Sequence, residues 1–554
     1  MIGRLRSMLA APCAQVNRCW RCRPQLSVEA LLLATSLFFA LACNASFWRA
    51  ALSWSNGGVL FTACLLVLLV AIHAFVLGLL VWRWNAKAVL GALILCAALA
   101  AHYMGRYQVY INAEMLRNVL HTDSNESREL ITPALAVALL FFAVLPGVVL
   151  WRIRLRKRKV GRALLIRLGF LAAAAVSGLG AALLCFQDLS ALMRNHHEIR
   201  YLATPINVLA ATRSILKSAT STPSGPKRAL EDDAAATLRA PGTRPRLLVI
   251  VLGEAARAQN WGLNGYARQT TPVLATVEGL VNFRDMHACG TSTEVSVPCM
   301  FSPLGRHNYD EKAIRSQQSL LHVLEHAGIG TLWRDNQSGC KGVCEQLPTQ
   351  LLQDAESPTL CQGDRCLDEI LLDDLPAQVR ARPGDRVVVL HQLGNHGPSY
   401  FQRYPPRFKR FVPACEDPDL GQCSREQIVN AYDNALLYTD HFLGRTIASL
   451  QAMDDYDSAM LYVSDHGESL GEKGLYLHGV PYAIAPREQT RIPMVMWFAP
   501  SFATARGLDL ACLQRRATQR TDHDHLFASI LGLMQVRTRI YDASRDLFAG
   551  CVGR

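Results

Sequence analysis

Charged residues are scarce in this chain. Asp, Glu, Lys and Arg make up only 18% of its 554 residues, against 50% hydrophobic, and the mean hydropathy is +0.13. That scarcity excludes an intrinsically disordered chain and a wholly soluble one. The length excludes a single ordinary domain. Acidic residues are rarest of all near the start. Residues 1–187 hold 5 Asp and Glu against 19 Lys and Arg, and the remainder holds 40 against 38. The formal net charge of +12 thus lies entirely in the most apolar third, which rules out a basic globular nucleic-acid domain. A lone apolar leader is also missing. The first apolar stretch is followed by several more, and no single cleavage site explains them, so a secretory signal peptide is not the reading. Finally, the cysteine spacings fit CxxC-type zinc knuckles poorly.

What is present is a series of five apolar runs, at 28–47, 58–82, 88–103, 131–151 and 163–186. Roughly 20 apolar residues cross a hydrocarbon core as a helix; the third run is short and the fifth contains Arg167. Arg4, Arg6, Arg18, Arg21 and Arg23 precede the first run, and Arg83 and Lys87 lie between the second and third. Arg152, Arg154, Arg156, Lys157, Arg158, Lys159, Arg162 and Arg167 lie at or near the turn between the fourth and fifth. These residues all fall on one side of a five-helix bundle. The positive-inside rule makes that side cytoplasmic and sends the chain from residue 187 onward outside. The basic run RIRLRKRK is therefore a topology signal rather than a nucleic-acid patch. The outward loop 106–130 carries Asn112, Glu114, Met115, Asn118, Thr122, Asp123 and Glu126 at roughly helical spacing. Such a face suits a lipid headgroup, and equally a solvated interfacial helix.

Seven of the 17 cysteines precede residue 187 and read as small apolar residues. Ten follow residue 280, and eight of those form close couples: Cys289/Cys299, Cys340/Cys344, Cys361/Cys366 and Cys415/Cys423. Close couples suggest loop staples in an oxidising compartment, in agreement with the charge-derived topology. Cys512 and Cys551 are left over as a candidate fifth bridge.

These signals divide the chain into a membrane domain at 1–187, bridging helices and a linker at 188–246, and an outer domain at 247–554. In the last, apolar runs at 247–252, 330–333, 387–390, 459–463 and 494–498 alternate with helix candidates at 317–327, 364–372, 425–451 and 524–533. This alternation predicts an α/β domain with a mainly parallel sheet. An open α/β sheet places its site past the carboxyl ends of its strands. There the sequence puts Glu254, the pair His391 and His396, and the pair Asp465 and His466. Glu254, Asp465 and His466 are a donor set suited to zinc. A second element, CGTSTEVSVPCMFS, offers Thr291, Ser292, Thr293 and Ser296 as nucleophiles or helix-capping hydroxyls.

The segments VLGEAARAQNWGLNGYARQTTP, CGTSTEVSVPCMFS, DNQSGCKGVC, GNHGPSY and SDHGESLGEKGLYLHG resemble the motifs of phosphoethanolamine transferases that act on lipid A, the group that includes the mobile colistin-resistance enzymes. The resemblance implies an N-terminal five-helix transmembrane bundle plus a C-terminal α/β alkaline phosphatase/sulfatase-like domain. It implies a multi-pass monomer in a Gram-negative inner membrane, with its zinc-dependent catalytic domain in the periplasm and no nucleic-acid partner. Thr293 matches the nucleophile that carries phosphoethanolamine, and Glu254, Thr293, Asp465 and His466 match the ligands of a tightly bound zinc. His396 and His478 match histidines that hold a second zinc or assist proton transfer. Lys341 matches a phosphate-contacting lysine, Gln337 the amide before it with Asn336 adjacent, and Asn118, Thr122 and Glu126 substrate-binding positions of the loop. His525 stands where the family has Asn after Asp524. The implied reaction moves phosphoethanolamine from phosphatidylethanolamine to a lipid A phosphate among membrane lipids, giving polymyxin resistance. Transfer to Kdo or heptose, or phosphoglycerol transfer of the lipoteichoic acid synthase type, are same-fold alternatives. A transporter or receptor needs ionisable residues within the helices, and these are scarce.

Overall fold

The computed structural model describes residues 23–54, 58–121, 124–221, 227–230, 233–239, 241–353, 355, 357–362 and 365–553, with backbone alone at 124–126, 218–221 and 362. Arg4, Arg6, Arg18, Arg21, Thr122 and Asp123 lie outside the described residues, as does the side chain of Glu126. Two compact units are formed. The first comprises Met1–Asn112 and Pro133–Ala211, and the second Ala113–Thr132 and Thr212–Arg554.

The first unit is helical. Its helices are α1 (Val28–Ala42), α2 (Ala45–Trp54), α3 (Val59–Leu80) and α4 (Ala86–Tyr107). After α5 (Ala113–His121), which packs in the second unit, come α6 (Pro133–Arg152) and α7 (Val160–Leu184). Among the described residues α3, α4, α6 and α7 are each long and apolar enough to cross a membrane, and α1 and α2, bent by 60° at their junction, pass the same test only as a pair, which makes four spans or five. That bend departs from the continuous helix expected over 28–47. The cause is Asn44, fully buried at the break. Its Nδ2 donates to the carbonyls of Phe39 at 2.8 Å and Thr204 at 2.7 Å, and its Oδ1 accepts the Thr204 N–H at 2.9 Å. In an apolar surround, backbone groups freed by a helix break must find such partners. Arg167, in α7, is buried, donates to the Gly78 carbonyl at 3.0 Å and lies over the Trp82 ring.

The second unit is built on an eight-stranded sheet. Its strands are β1 (Arg246–Gly253), β2 (Val281–His287), β3 (Gly330–Asp335), β4 (Thr349–Leu351), β5 (Arg386–His391), β6 (Asp457–Ser464), β7 (Arg491–Phe498) and β8 (Arg520–Asp522). They lie in the order β8-β2-β7-β6-β1-β5-β3-β4. Every pairing is parallel except the two made by β7, so seven strands run one way. Strands β1, β5 and β6 are buried along their whole length. They are continuous apolar runs because helices cover parallel sheets on both faces. The longest of those helices, Arg425–Gln451, starts at a capping box between Ser424 and Gln427, which satisfies two otherwise orphaned amides. The parallel run β6-β1-β5-β3 brings the segments after four strands to one edge. Helix α8 (Thr293–Met300) follows β2 and reaches the same edge, because β2 runs in the direction of β6.

Candidate active site

Glu254 follows β1 directly, and Asp465 and His466 follow β6. These strands are paired in register up to Gly253 and Ser464, so the three side chains emerge side by side. Ala255 adopts φ +54°, a left-handed conformation costly for a non-glycine residue. Two hydrogen bonds hold it there: Ala255 N–H donates to Asp465 Oδ1 at 3.1 Å and Ala256 N–H to Ser464 Oγ at 2.9 Å. Thr293 opens α8, capped by extended Ser292. A disulfide between Cys289 and Cys299 brackets the helix, and the Gly290 N–H donates to Ser296 Oγ at 2.9 Å. His523 ties this loop to β6, accepting from Cys289 N–H at 3.0 Å and donating through Nε2 to the Ser464 carbonyl at 3.0 Å.

The result is a tight, buried constellation. Thr293 Oγ1 donates to Glu254 Oε2 at 2.9 Å and lies 3.3 Å from His466 Nε2. Nε2 of His466 is 3.3 Å from both Glu254 Oε1 and Asp465 Oδ2. His466 Nδ1 donates to the Gly467 carbonyl at 2.8 Å, which turns Nε2 toward the carboxylates. His396 Nδ1 is 3.1 Å from Glu254 Oε1. Burial opposes ionisation of Glu254, but His466 and His396 outweigh it and hold that carboxyl well below its usual range. Burial and then the adjacent Glu254 push Asp465 up to about 6. Burial works against protonated His466, but Asp465 and Glu254 raise it to about 9.

Ligand atoms of Glu254, Asp465 and His466 all lie within 4.8 Å of one another. Asp465 Oδ2 is buried and accepts no hydrogen bond among the described residues. Two apposed buried carboxylates with one orphaned oxygen call for a cation, and the O/N donor set fits a metal ion. His466, Glu468 and His478 form a second such group. There His478 Nδ1 is 2.8 Å from Glu468 Oε2, and the Tyr400 hydroxyl donates to Glu468 Oε1 at 2.6 Å.

Of the expected substrate-binding residues, Asn118, Gln337 and Lys341 line one cleft with Thr293 and the expected catalytic histidines His396 and His478, whereas Thr122 and the Glu126 side chain fall outside the described residues. Asp335 organises the Gln337–Lys341 loop, accepting from the Gln337 and Gly339 N–H groups at 2.9 Å each. Gln337 Nε2 points to Glu254 Oε2 at 3.3 Å. Its neighbour Asn336 turns away, donating to the Cys366 carbonyl and Asp368 Oδ1. Lys341 Nζ donates to the Ser338 carbonyl at 3.0 Å and Oγ at 2.5 Å. Two residues singled out by sequence position lie elsewhere. His391 is fully buried with its Nδ1 2.7 Å from Asp335 Oδ2. His525 caps its own turn through Asp522 at 2.7 Å, while Asp524 accepts from the backbone of Arg306 and His307. His121, Glu294 and Ser338 also line the cleft and were not anticipated. Glu294, next to Thr293, is the one a nucleophile-adjacent carboxylate could have signalled. Cys340–Cys344, Cys361–Cys366, Cys415–Cys423 and Cys512–Cys551 are disulfides. The described free cysteines Cys43, Cys64, Cys96 and Cys185 all belong to the first unit.

Comparison with known proteins agrees with this geometry. Residues 246–536 match the sulfatase family, and 69–220 match the family described as phosphoethanolamine transferase EptA/EptB. The chain is 35% identical over 536 residues to phosphoethanolamine transferase EptA of Escherichia coli K12, covering 96% of this chain and 98% of that protein. It is 38% identical over 426 residues to phosphatidylethanolamine transferase Mcr-1 of Escherichia coli, covering 75% and 79%. The solved structure of the integral membrane lipooligosaccharide phosphoethanolamine transferase A from Neisseria meningitidis superposes with a TM-score of 0.93 at 36% identity, over 96% of this chain and 100% of that one. With both halves matched, and a buried Thr, Glu, Asp and His converging past the ends of a parallel sheet, the chain belongs to the phosphoethanolamine transferase family of the EptA/EptB type.

Proposed function

We propose that this protein transfers phosphoethanolamine from phosphatidylethanolamine to a phosphate of lipid A through a covalent intermediate on Thr293, from a catalytic unit on the periplasmic side of a Gram-negative inner membrane. The observation that carries this reading is the placement of the Thr293 hydroxyl, 2.9 Å from Glu254 and 3.3 Å from His466, within the buried donor set. Glu254, Thr293, Asp465 and His466 would hold one zinc ion, and the group formed by His466, Glu468 and His478 a possible second site. Zinc bound there supplies positive charge that acidifies the hydroxyl and draws electron density from a phosphoryl oxygen.

The remaining work falls to the chain. Glu254 Oε2 accepts the Thr293 hydroxyl hydrogen bond and orients its oxygen. Thr293 attacks phosphorus as its hydroxyl proton passes to Glu254 Oε2, the bond from phosphorus to the glycerol oxygen breaks, and that oxygen leaves as diacylglycerol after taking a proton. His396 or His478 gives this proton and later takes one from the acceptor phosphate. An acceptor phosphate oxygen then attacks the same phosphorus, whose bond to Thr293 breaks, and Thr293 recovers its proton. Lys341 and Gln337, which line the cleft beside Thr293, would meet the phosphoryl oxygens that gain charge in the transition state, where positioning and electrostatics dominate the rate. The N-terminal amides of α8 favour the same anion. Asn118, with Thr122 and Glu126 of the same segment, serves the lipid headgroup. Capping an anionic phosphate with phosphoethanolamine adds an ammonium group that lowers the net negative surface charge and weakens binding of cationic peptides, so polymyxin tolerance follows.

Peptide mass spectrometry of the chain incubated with phosphatidylethanolamine tests the reading. A phosphoethanolamine adduct on Thr293 is expected, absent from Thr293→Ala, together with lipid A that gains phosphoethanolamine in expressing cells. A phosphoglycerol adduct, an added group on Kdo or heptose instead, or transfer retained by Thr293→Ala, would each sink part of the proposal.

A further inference from the structure

Segment 113–132 belongs to the second unit, and among the described residues four ion pairs, made at three of its side chains, fasten it there. Arg117 meets Glu311, and His121 Nδ1 lies 3.1 Å from Glu294 Oε2. The third is different in kind. Glu129 and Arg403 are both buried. Arg403 Nη2 donates to both Glu129 oxygens at 3.0 Å. Its Nε donates to the His396 carbonyl at 2.6 Å. One rigid guanidinium plane therefore joins a carboxylate of the segment to the main chain of a cleft histidine, which a lysine ammonium could not do at the same spacing.

The opposite side of the His396 loop is fixed to Glu254. Asn395 N–H donates to the Glu254 carbonyl at 3.0 Å. Gly394, at φ +53°, comes so near that an added Cβ would lie 2.9 Å from that oxygen. Asp368 accepts from the Leu393 and Gly394 N–H groups at 2.8 and 2.9 Å. The loop is thus clamped between Glu254 and Arg403, with the His396 ring at 3.1 Å from Glu254. Arg365 also pairs with Glu129, so the segment keeps an anchor even where Arg403 lets go.

We infer that Arg403 and Glu129 are positioning residues for His396: the buried pair sets the main-chain height of that residue over Glu254, and so couples docking of segment 113–132 to proton transfer. The inference rests on the proposed role of His396. Among the described residues neither Arg403 nor Glu129 hydrogen-bonds or pairs with Thr293, Asp465 or His466, so their effect must pass through His396. Small displacements of a catalytic group lower rates steeply.

Arg403→Lys is the selective perturbation, because a lysine keeps a charge for Glu129 but loses the planar bridge to His396. The test uses the zinc-loaded full chain in detergent micelles with phosphatidylethanolamine bearing a fluorescent acyl chain, and follows diacylglycerol release. Arg403→Lys is expected to lower kcat about tenfold while KM moves less than about threefold. In a His396→Ala background it should cost less than about twofold more, and in an Asn118→Ala background its full effect should persist. Glu129→Gln should behave the same way in all three backgrounds. A loss from Arg403→Lys that is as large without His396 as with it would mean that the pair only holds the fold, and would overturn the inference. If His396→Ala itself turns over like the parent while the Thr293 adduct still forms, the role of His396 fails and the positioning role falls with it.

Discussion

Acidification should loosen the link between the nucleophile loop and β6, and His523 is the group responsible. The ring is 1% exposed. Its Nδ1 accepts the Cys289 N–H and its Nε2–H donates to the Ser464 carbonyl, both at 3.0 Å. Only the neutral tautomer satisfies both, since a protonated ring would set a second N–H against that of Cys289. Burial is the main cause that pulls its pKa from 6.5 down to about 4, against the opposing pull of the Ser464 carbonyl, Asp522 and Asp524. A histidine whose folded pKa is depressed contributes stability that is full above the unfolded value and is lost as pH falls. The loss therefore begins near pH 6.5 and levels off below about pH 4. Linkage makes the full difference about 3 kcal/mol, of which about 2 kcal/mol is gone at about pH 5. Urea unfolding of the detergent-solubilised chain, followed by tryptophan fluorescence at about pH 7 and about pH 5, measures it. His523→Gln keeps a polar side chain without the titration. The drop between the two pH values should be smaller by about 2 kcal/mol in that variant. An identical drop in parent and variant would refute the reasoning.

Two further outcomes can be measured. Stripping metal with a chelator should leave Glu254 and Asp465 repelling each other, and adding zinc back at about a thousandfold over its Kd should restore about 4 kcal/mol; a melting temperature indifferent to zinc would contradict the assigned donor set. The Cys512–Cys551 disulfide spans a sequence separation of 39. Replacing both cysteines by alanine should cost about 4 kcal/mol, read as a lowered thermal midpoint, and a midpoint unmoved would mean that the oxidised and opened chains lose the same entropy on folding.

Some of this architecture is legible in the sequence, for physical reasons. The buried strands β1, β5 and β6 appear as unbroken apolar runs because both faces are covered. By contrast β2, VNFRDMH, alternates buried and partly exposed positions, and β4 and β8 are three residues long; none carries a run. Glu254, Asp465 and His466 are readable because they follow recognisable strands. His391 follows the apolar run 387–390 equally well, yet it is still the last residue of β5 and pairs with Asp335, 56 residues away. The bend at Asn44 depends on Thr204, 160 residues on. Likewise a polar face on 113–121 does not reveal whether water, lipid or protein will meet it. Arg117 finds Glu311 across 194 residues, and Arg403 finds Glu129 across 274. Partners so far apart leave no local pattern to read.

The second unit is discontinuous along the chain, and this has a consequence for how it can be dissected and made. Residues 113–132 are synthesised well before the rest of the unit they join, separated from it by α6 and α7. A fragment that starts after the membrane helices would carry Thr293 and every candidate metal ligand, yet lack Asn118, His121 and Glu129. Arg403 would then be left without its carboxylate from the missing strip, and the cleft would lack one wall. A peptide of the 113–132 sequence added to such a fragment would supply the missing carboxylate and cleft residues.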